Sequence, residues 1–290
     1  MHTFLGDTLR PFLLGLRAVV GGILSRPVPV VRSRQGVLLG ELSWPEAERA
    51  LTPVSVVVIP LGAQTKEHGL HLPLQNDWLL AEYLKERVLE SLDVVVAPTV
   101  NYGFYPAFLE YAGSSSLSRA TARDMIVEIC RSWSQHGPHR FYVLNTGISP
   151  LLPLRDAAAI LEEDGILLRF TDEAVLEAVE QAAAWEQRRG THADEVETSI
   201  MLHILPGAVE MERAVADCRQ HRPGPLTRDP MGKGTYSPTG SWGDPTRATR
   251  EKGRAAVEAL LAGIFRQIEL ARSEPLPGAG EDRLSRSRAA

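Results

Sequence analysis

Residues 54–60 read Val-Ser-Val-Val-Val-Ile-Pro, a β-branched run with no polar–apolar alternation. A strand with one face in water alternates, whereas a strand covered on both faces can be apolar throughout. Such a run is therefore expected in a parallel sheet sandwiched between helices. Three further segments repeat the signal at 94–97, 140–144 and 166–170. Between and after them lie stretches of helical periodicity at 77–89, 118–133, 151–163, 172–187 and 251–273. In the first of these, Leu79, Leu80, Tyr83, Leu84 and Val88 share one side, and Asn76 or Asp77 can cap its start. Ser118 is a candidate cap for the second, and Pro150 and Pro153 suit the start of the third. Strand and helix alternate, so the expected fold class is α/β with a mostly parallel sheet and right-handed crossovers. A chain of 290 residues that is 44% hydrophobic can supply one large core for it.

The ends read differently. Residues 1–35 form an apolar and then extended lead-in; the apolar run 11–24 is interrupted by Arg17 and is too short for a membrane-spanning helix. The chain is expected to be cytoplasmic, with export as the alternative if residues 1–25 act as a signal. The α/β domain is expected over 36–273 and a disordered tail over 274–290. Residues 222–253, rich in Gly, Pro, Ser and Thr, read as a disordered segment or a functional loop. A net charge of −5 and the lack of a basic, aromatic-interleaved patch argue against a nucleic-acid partner. Cys130 and Cys218 form no C-x-x-C pair and read as buried packing residues.

Ligands of parallel α/β sheets bind beyond the carboxyl ends of the strands. The loop after the first strand carries Lys66, Glu67, His68, His71 and Asp77, the densest group of metal-capable side chains in the sequence. Imidazole and carboxylate together suit zinc, manganese or iron. A second group lies in residues 191–199, Thr-His-Ala-Asp-Glu-Val-Glu-Thr-Ser, where a helix starting near Ala193 would put His192 at its mouth and Glu197 on one face. Each group alone also has a plain reading as capping or solvated residues.

Together these segments resemble the creatininase (creatinine amidohydrolase) family over roughly residues 42–266. The matching pieces are IPLGAQTKEHGLHLPLQND at 59–77, GSSSL at 113–117, LNTG at 144–147, HADEVETSIML at 192–202 and GSWGDPTRATREKG at 240–253. The resemblance implies a three-layer α/β/α sandwich and hydrolysis of a C–N bond in a small cyclic or linear amide or lactam. It also implies one or two zinc or manganese ions and a homo-oligomer, often a hexamer. It assigns His68, Asp77 and Glu197 as metal ligands and His192 as a proton-transferring catalytic residue, with His71 behind them. Tyr236, Ser237, Trp242 and Asp244 fall in a family loop that closes over substrate or forms turns.

Two positions depart from the family pattern. Lys66-Glu67-His68 stands where Glu-x-His is usual, so Lys66 takes the usual glutamate position or Glu67 replaces it as a metal ligand. Asn145-Thr146-Gly147 stands where Asn-Gly-His is usual, so the second ion loses a histidine. Lys66 is then a candidate catalytic residue whose ammonium replaces the missing cation. The alternative is a catalytically impaired binding protein of the same fold.

Overall fold

A computed structural model describes residues 34–278. The expectations for the N-terminal segment before residue 34 and for the last residues of the tail lie outside the described residues. Five strands form one parallel sheet: β1 (Val37–Leu38), β2 (Val56–Leu61), β3 (Val95–Val96), β4 (Arg140–Asn145) and β5 (Leu167–Phe170). Their order is β1-β3-β2-β4-β5. Seven α-helices accompany them: α1 (Trp44–Ala50), α2 (Asn76–Ser91), α3 (Arg119–Ser134), α4 (Leu151–Glu163), α5 (Glu173–Glu180), α6 (Glu195–Ile204) and α7 (Arg250–Ser273).

The two-faced burial expected of residues 54–60 is visible from Val56 onward; Val54 is 76% exposed and precedes the strand. Val56 and Val58 of β2 and Tyr142 and Leu144 of β4 pack against α2, α5, α6 and α7, through Leu84, Val179, Ile200 and Ile264 among others. Val57, Ile59, Phe141 and Val143 point the other way, onto Ile126 and Val127 of α3 and Leu154 and Leu161 of α4. Alternate side chains of one strand thus fill two separate cores, which makes the molecule a three-layer α/β/α sandwich. Both central strands are buried except at half-buried Arg140, and they pair in register from Val56↔Arg140 to Leu61↔Asn145.

Several boundaries carry their causes with them. Ser118 caps α3 by accepting from Thr121 N at 3.1 Å, as expected. Helix α2 starts at Asn76 with no side-chain cap, because the Asp77 carboxylate is drawn instead toward Lys66 and His68. The helix expected over 172–187 stops at Glu180. There the buried Glu195 carboxylate accepts from Glu186 N at 2.9 Å and Gln187 N at 2.7 Å and holds that stretch out of helical conformation. Cys130 is buried but Cys218 is exposed, which corrects the expectation for the second cysteine. Among the described residues no helix is long and apolar enough to cross a membrane.

Candidate active site

The carboxyl ends of β2 and β4 lie side by side, and the loop after β2 supplies the first group of site residues. Gly62, the first residue after β2, lies against the start of α2; a Cβ there would sit 2.4 Å from the carbonyl oxygen of Asp77. Only glycine permits that approach, which brings the loop back onto the first turn of α2. Trp78 N donates to Ala63 O at 3.1 Å and closes the contact.

Inside this turn, Lys66, Glu67, His68 and Asp77 are all at most 5% exposed. Lys66 Nζ lies 2.8 Å from Asp77 Oδ2, and His68 Nε2 lies 2.8 Å from Asp77 Oδ1. The Lys66 ammonium also sits 4.8 Å from the centre of the Phe108 ring and 5.7 Å from that of Tyr105. Burial disfavours its charged form, but Asp77, then Glu197, outweigh it and raise the Lys66 pKa above the ordinary value. Asp77 answers in kind: burial is overridden by Lys66 and His68, and its pKa falls well below the usual carboxylate range. The result is a buried, fully charged pair.

The second group comes from the mouth of α6. Asp194 caps this helix, its Oδ1 accepting from Val196 N and Glu197 N, both at 3.0 Å. Burial, then Glu197, raises the Asp194 pKa to about 6. Just before it Ala193 has φ +45°, the one non-glycine positive φ among the described residues. That left-handed turn aims His192 inward and lets Ala193 N donate to Glu197 Oε2 at 2.6 Å. His192 pairs in antiparallel fashion with Trp242, through Trp242 N to His192 O at 2.8 Å and His192 N to Trp242 O at 3.2 Å. The Gly-rich segment is therefore a structural backing for the site. Gly240 is pressed onto it closely enough that a Cβ would lie 2.2 Å from Glu67 Oε2. Residues 222–253 are organised further by the two-stranded β6 (Leu226–Thr227) and β7 (Thr235–Tyr236). Ser237 is buried and donates to Ser241 O at 2.7 Å, and Asp244 forms a turn by accepting from Thr246 N at 3.2 Å. Trp242 stacks on His221 with centroids 4.8 Å apart.

The two stretches converge. One ligand atom from each of His68, His192 and Glu197 lies within 4.8 Å of the others. Hydrogen-bond chemistry shows which nitrogens are available. His68 Nδ1 lies 2.9 Å from the Lys66 carbonyl oxygen, which can only accept, so Nδ1 carries a proton and Nε2 keeps the lone pair in the neutral ring. That lone pair faces Asp77 Oδ1 at 2.8 Å, acceptor against acceptor, an arrangement satisfied by a proton or a cation. His192 Nε2 is 2.8 Å from Glu67 Oε1 and 3.0 Å from Glu67 O and is likewise the donor, leaving Nδ1 toward Glu197 Oε2 at 3.7 Å.

The donor set of His68, His192 and Glu197 suits a divalent ion. The other side of Asp77 is taken by Lys66, and Gly147 offers no ligand.

Glu67, expected as a possible ligand, is placed elsewhere. Its Oε1 meets His192 and its Oε2 accepts from Gly69 N at 2.9 Å, so it sits behind His192 and outside the His68–His192–Glu197 group. Consecutive loop residues point in different directions, Lys66 toward Asp77 and Glu67 toward His192. Burial opposes ionisation of Glu67, but His192 overrides it and lowers its pKa. Burial likewise opposes protonation of His192, and Glu67 overrides it in the other direction, raising the His192 pKa. His71 does not touch a ligand; its Nε2 meets Thr198 Oγ1 at 2.7 Å, and burial lowers its pKa to about 4.

The sequence reading missed Asn76, Tyr105, Phe108, Ala193 and Asp194. Asp194 was findable, since an acidic residue three before a glutamate is a helix-start pattern. The aromatic pair lies on the long β3–α3 connection and carries no local signal.

Comparison with known proteins agrees with the fold. The creatininase family profile, described as creatinine amidohydrolase, matches residues 40–268. Creatinine amidohydrolase of Pseudomonas putida is 28% identical over 79% of this chain and 95% of its own length. A mycofactocin precursor peptide peptidase of Mycobacterium tuberculosis is 29% identical over 87% of this chain and 96% of its own. A crystal structure of creatinine amidohydrolase superimposes with a TM-score of 0.66 at 25% identity, covering 82% of this chain and 99% of that one. Other creatininase structures are described as Mn and Zn-Zn forms.

Proposed function

The chain belongs to the creatininase family, and from that premise we propose that it is an amidohydrolase running on a single divalent ion, with Lys66 as the resident second cation. It is a metal-dependent hydrolase of amide bonds, and zinc or manganese is the metal. One observation carries the single-ion reading. His68, His192 and Glu197 converge on one space, while the opposite side of Asp77 is closed by the Lys66 ammonium at 2.8 Å.

His68, Glu197 and, by the family resemblance, Asp77 would hold the ion; Asp77 lies outside the converging group, its Oδ1 2.8 Å from His68 Nε2. When bound, the ion lowers the pKa of water and polarises a carbonyl. The remaining work falls to the chain. Lys66 uses one N–H on Asp77 and, as part of the cavity wall, turns its charge toward an oxygen gaining negative charge. Glu67 fixes the His192 tautomer through Nε2–H, which leaves Nδ1 to take a proton and return it to the departing nitrogen. Phe108, its ring centroid 4.4 Å from that of His192, excludes water on that side. The substrate is a small amide or lactam, as expected of a cavity of about 320 Å³.

The test is metal content and turnover measured together. The native protein is expected to retain bound ion without chelator and to hydrolyse members of a lactam and formamide panel. Asp77→Ala is expected to lose both, with turnover down by about a thousandfold or more. His192→Ala is expected to keep the ion and lose turnover. An Asp77→Ala protein with native metal content and rate would overturn the assignment.

A further inference from the structure

The cavity that holds the polar cluster has an apolar part as well. Its walls include Leu80 of α2, Leu176 and Val179 of α5, Val196 and Ile200 of α6, and Leu260 of α7. Leu80, Val179, Ile200 and Leu260 belong to the core on that face of the sheet, so this arm runs into the apolar layer. Leu176 and Val196 are half-buried. Nothing in the hydrolysis of a small polar amide needs an apolar arm beside a charged cluster.

Asn76 stands where the two parts join. It precedes Leu80 by one helical turn and so shares its face of α2, next to Asp77. It is 2% exposed and lines the cavity, yet its Oδ1 has no hydrogen-bond partner among the described residues. A buried acceptor without a donor is costly and is the kind of group a ligand satisfies. What answers it is an N–H at the junction of a polar head and an apolar tail.

We propose that the substrate is a secondary amide with an unbranched apolar N-substituent, a deepening that rests on the amidohydrolase reading above. Its carbonyl faces Lys66 and the polar cluster, its N–H donates to Asn76 Oδ1, and the substituent lies along Leu80, Leu176, Val196 and Ile200. Water adds to the carbonyl carbon and the C–N bond breaks. The proton lost by water passes to the nitrogen, giving a carboxylic acid and an apolar primary amine.

The experiment uses the full chain with N-alkyl acetamides from methyl to hexyl. Both kcat/KM and the calorimetric Kd are measured, in native protein and in Leu176→Trp, Val196→Trp and Asn76→Ala. Each added methylene is expected to improve kcat/KM and Kd by about fourfold until the arm is full. The tryptophan variants, one on α5 and one on α6, are expected to flatten that slope, and one that fails to fold leaves the other to report. Asn76→Ala is expected to weaken secondary amides by about fivefold while sparing N-methyl-N-alkyl amides, which have no N–H to donate. A flat dependence of both quantities on chain length overturns the proposal, even where short amides are hydrolysed. Affinity that rises with chain length without any hydrolysis supports the arm and contradicts the enzymatic reading instead.

Discussion

The two sides of Asp77 look alike in composition and differ in what they can hold. On one side, His68, His192 and Glu197 present lone pairs and a carboxylate around a common space. On the other, Lys66 contributes a cation that needs no loading, flanked by the Phe108 and Tyr105 rings. A carboxylate that would bridge two ions instead bridges an imidazole and an ammonium. On the proposed reading, the buried ammonium replaces a divalent ion as a fixed charge but not as a Lewis acid, which would confine the metal chemistry to the histidine side.

That comparison can be broken by removing the cation. Lys66→Met leaves Asp77 buried without its ammonium partner, and unfolding measured by denaturant is expected to be easier by about 3 kcal/mol. Unchanged stability would mean that the pair is not the fixed charge argued here. A subtler change sharpens the histidine side. Glu67→Gln keeps the shape but removes the charge behind His192; bound metal is expected to stay near native, while kcat falls by about 10- to 100-fold. Loss of metal in this variant would put Glu67 back among the ligands. The smallest effect is expected from Thr198→Val, which deprives the buried His71 Nε2 of its partner and should lower stability by about 1 to 2 kcal/mol with turnover little changed.

The sequence made the layered fold legible because a buried strand has no polar face to hide, as residues 54–60 illustrate. It also gave the two clusters, since imidazoles and carboxylates crowd after β2 and before α6. What it could not give was direction. Lys66, Glu67 and His68 are neighbours in a loop without periodicity, and only Gly62 against Asp77 and Gly240 against Glu67 decide where each points. Helix α5 was overestimated for a related reason: a distant carboxylate, Glu195, outcompetes the helix propensity of residues 181–187. The long Gly-rich segment read as loop because its ordering depends on a partner strand at His192 that is far away in sequence.

Metal stoichiometry tests the central claim most directly. The native chain, purified without chelator and saturated with zinc or manganese, is expected to hold one ion per chain by elemental analysis. The double variant Lys66→Glu/Gly147→His, for which a Cβ at Gly147 meets nothing nearer than Pro150 Cδ at 3.6 Å, is expected to hold two. Two tightly bound ions in the native chain would contradict the account, because Lys66 would then not occupy the place of the second.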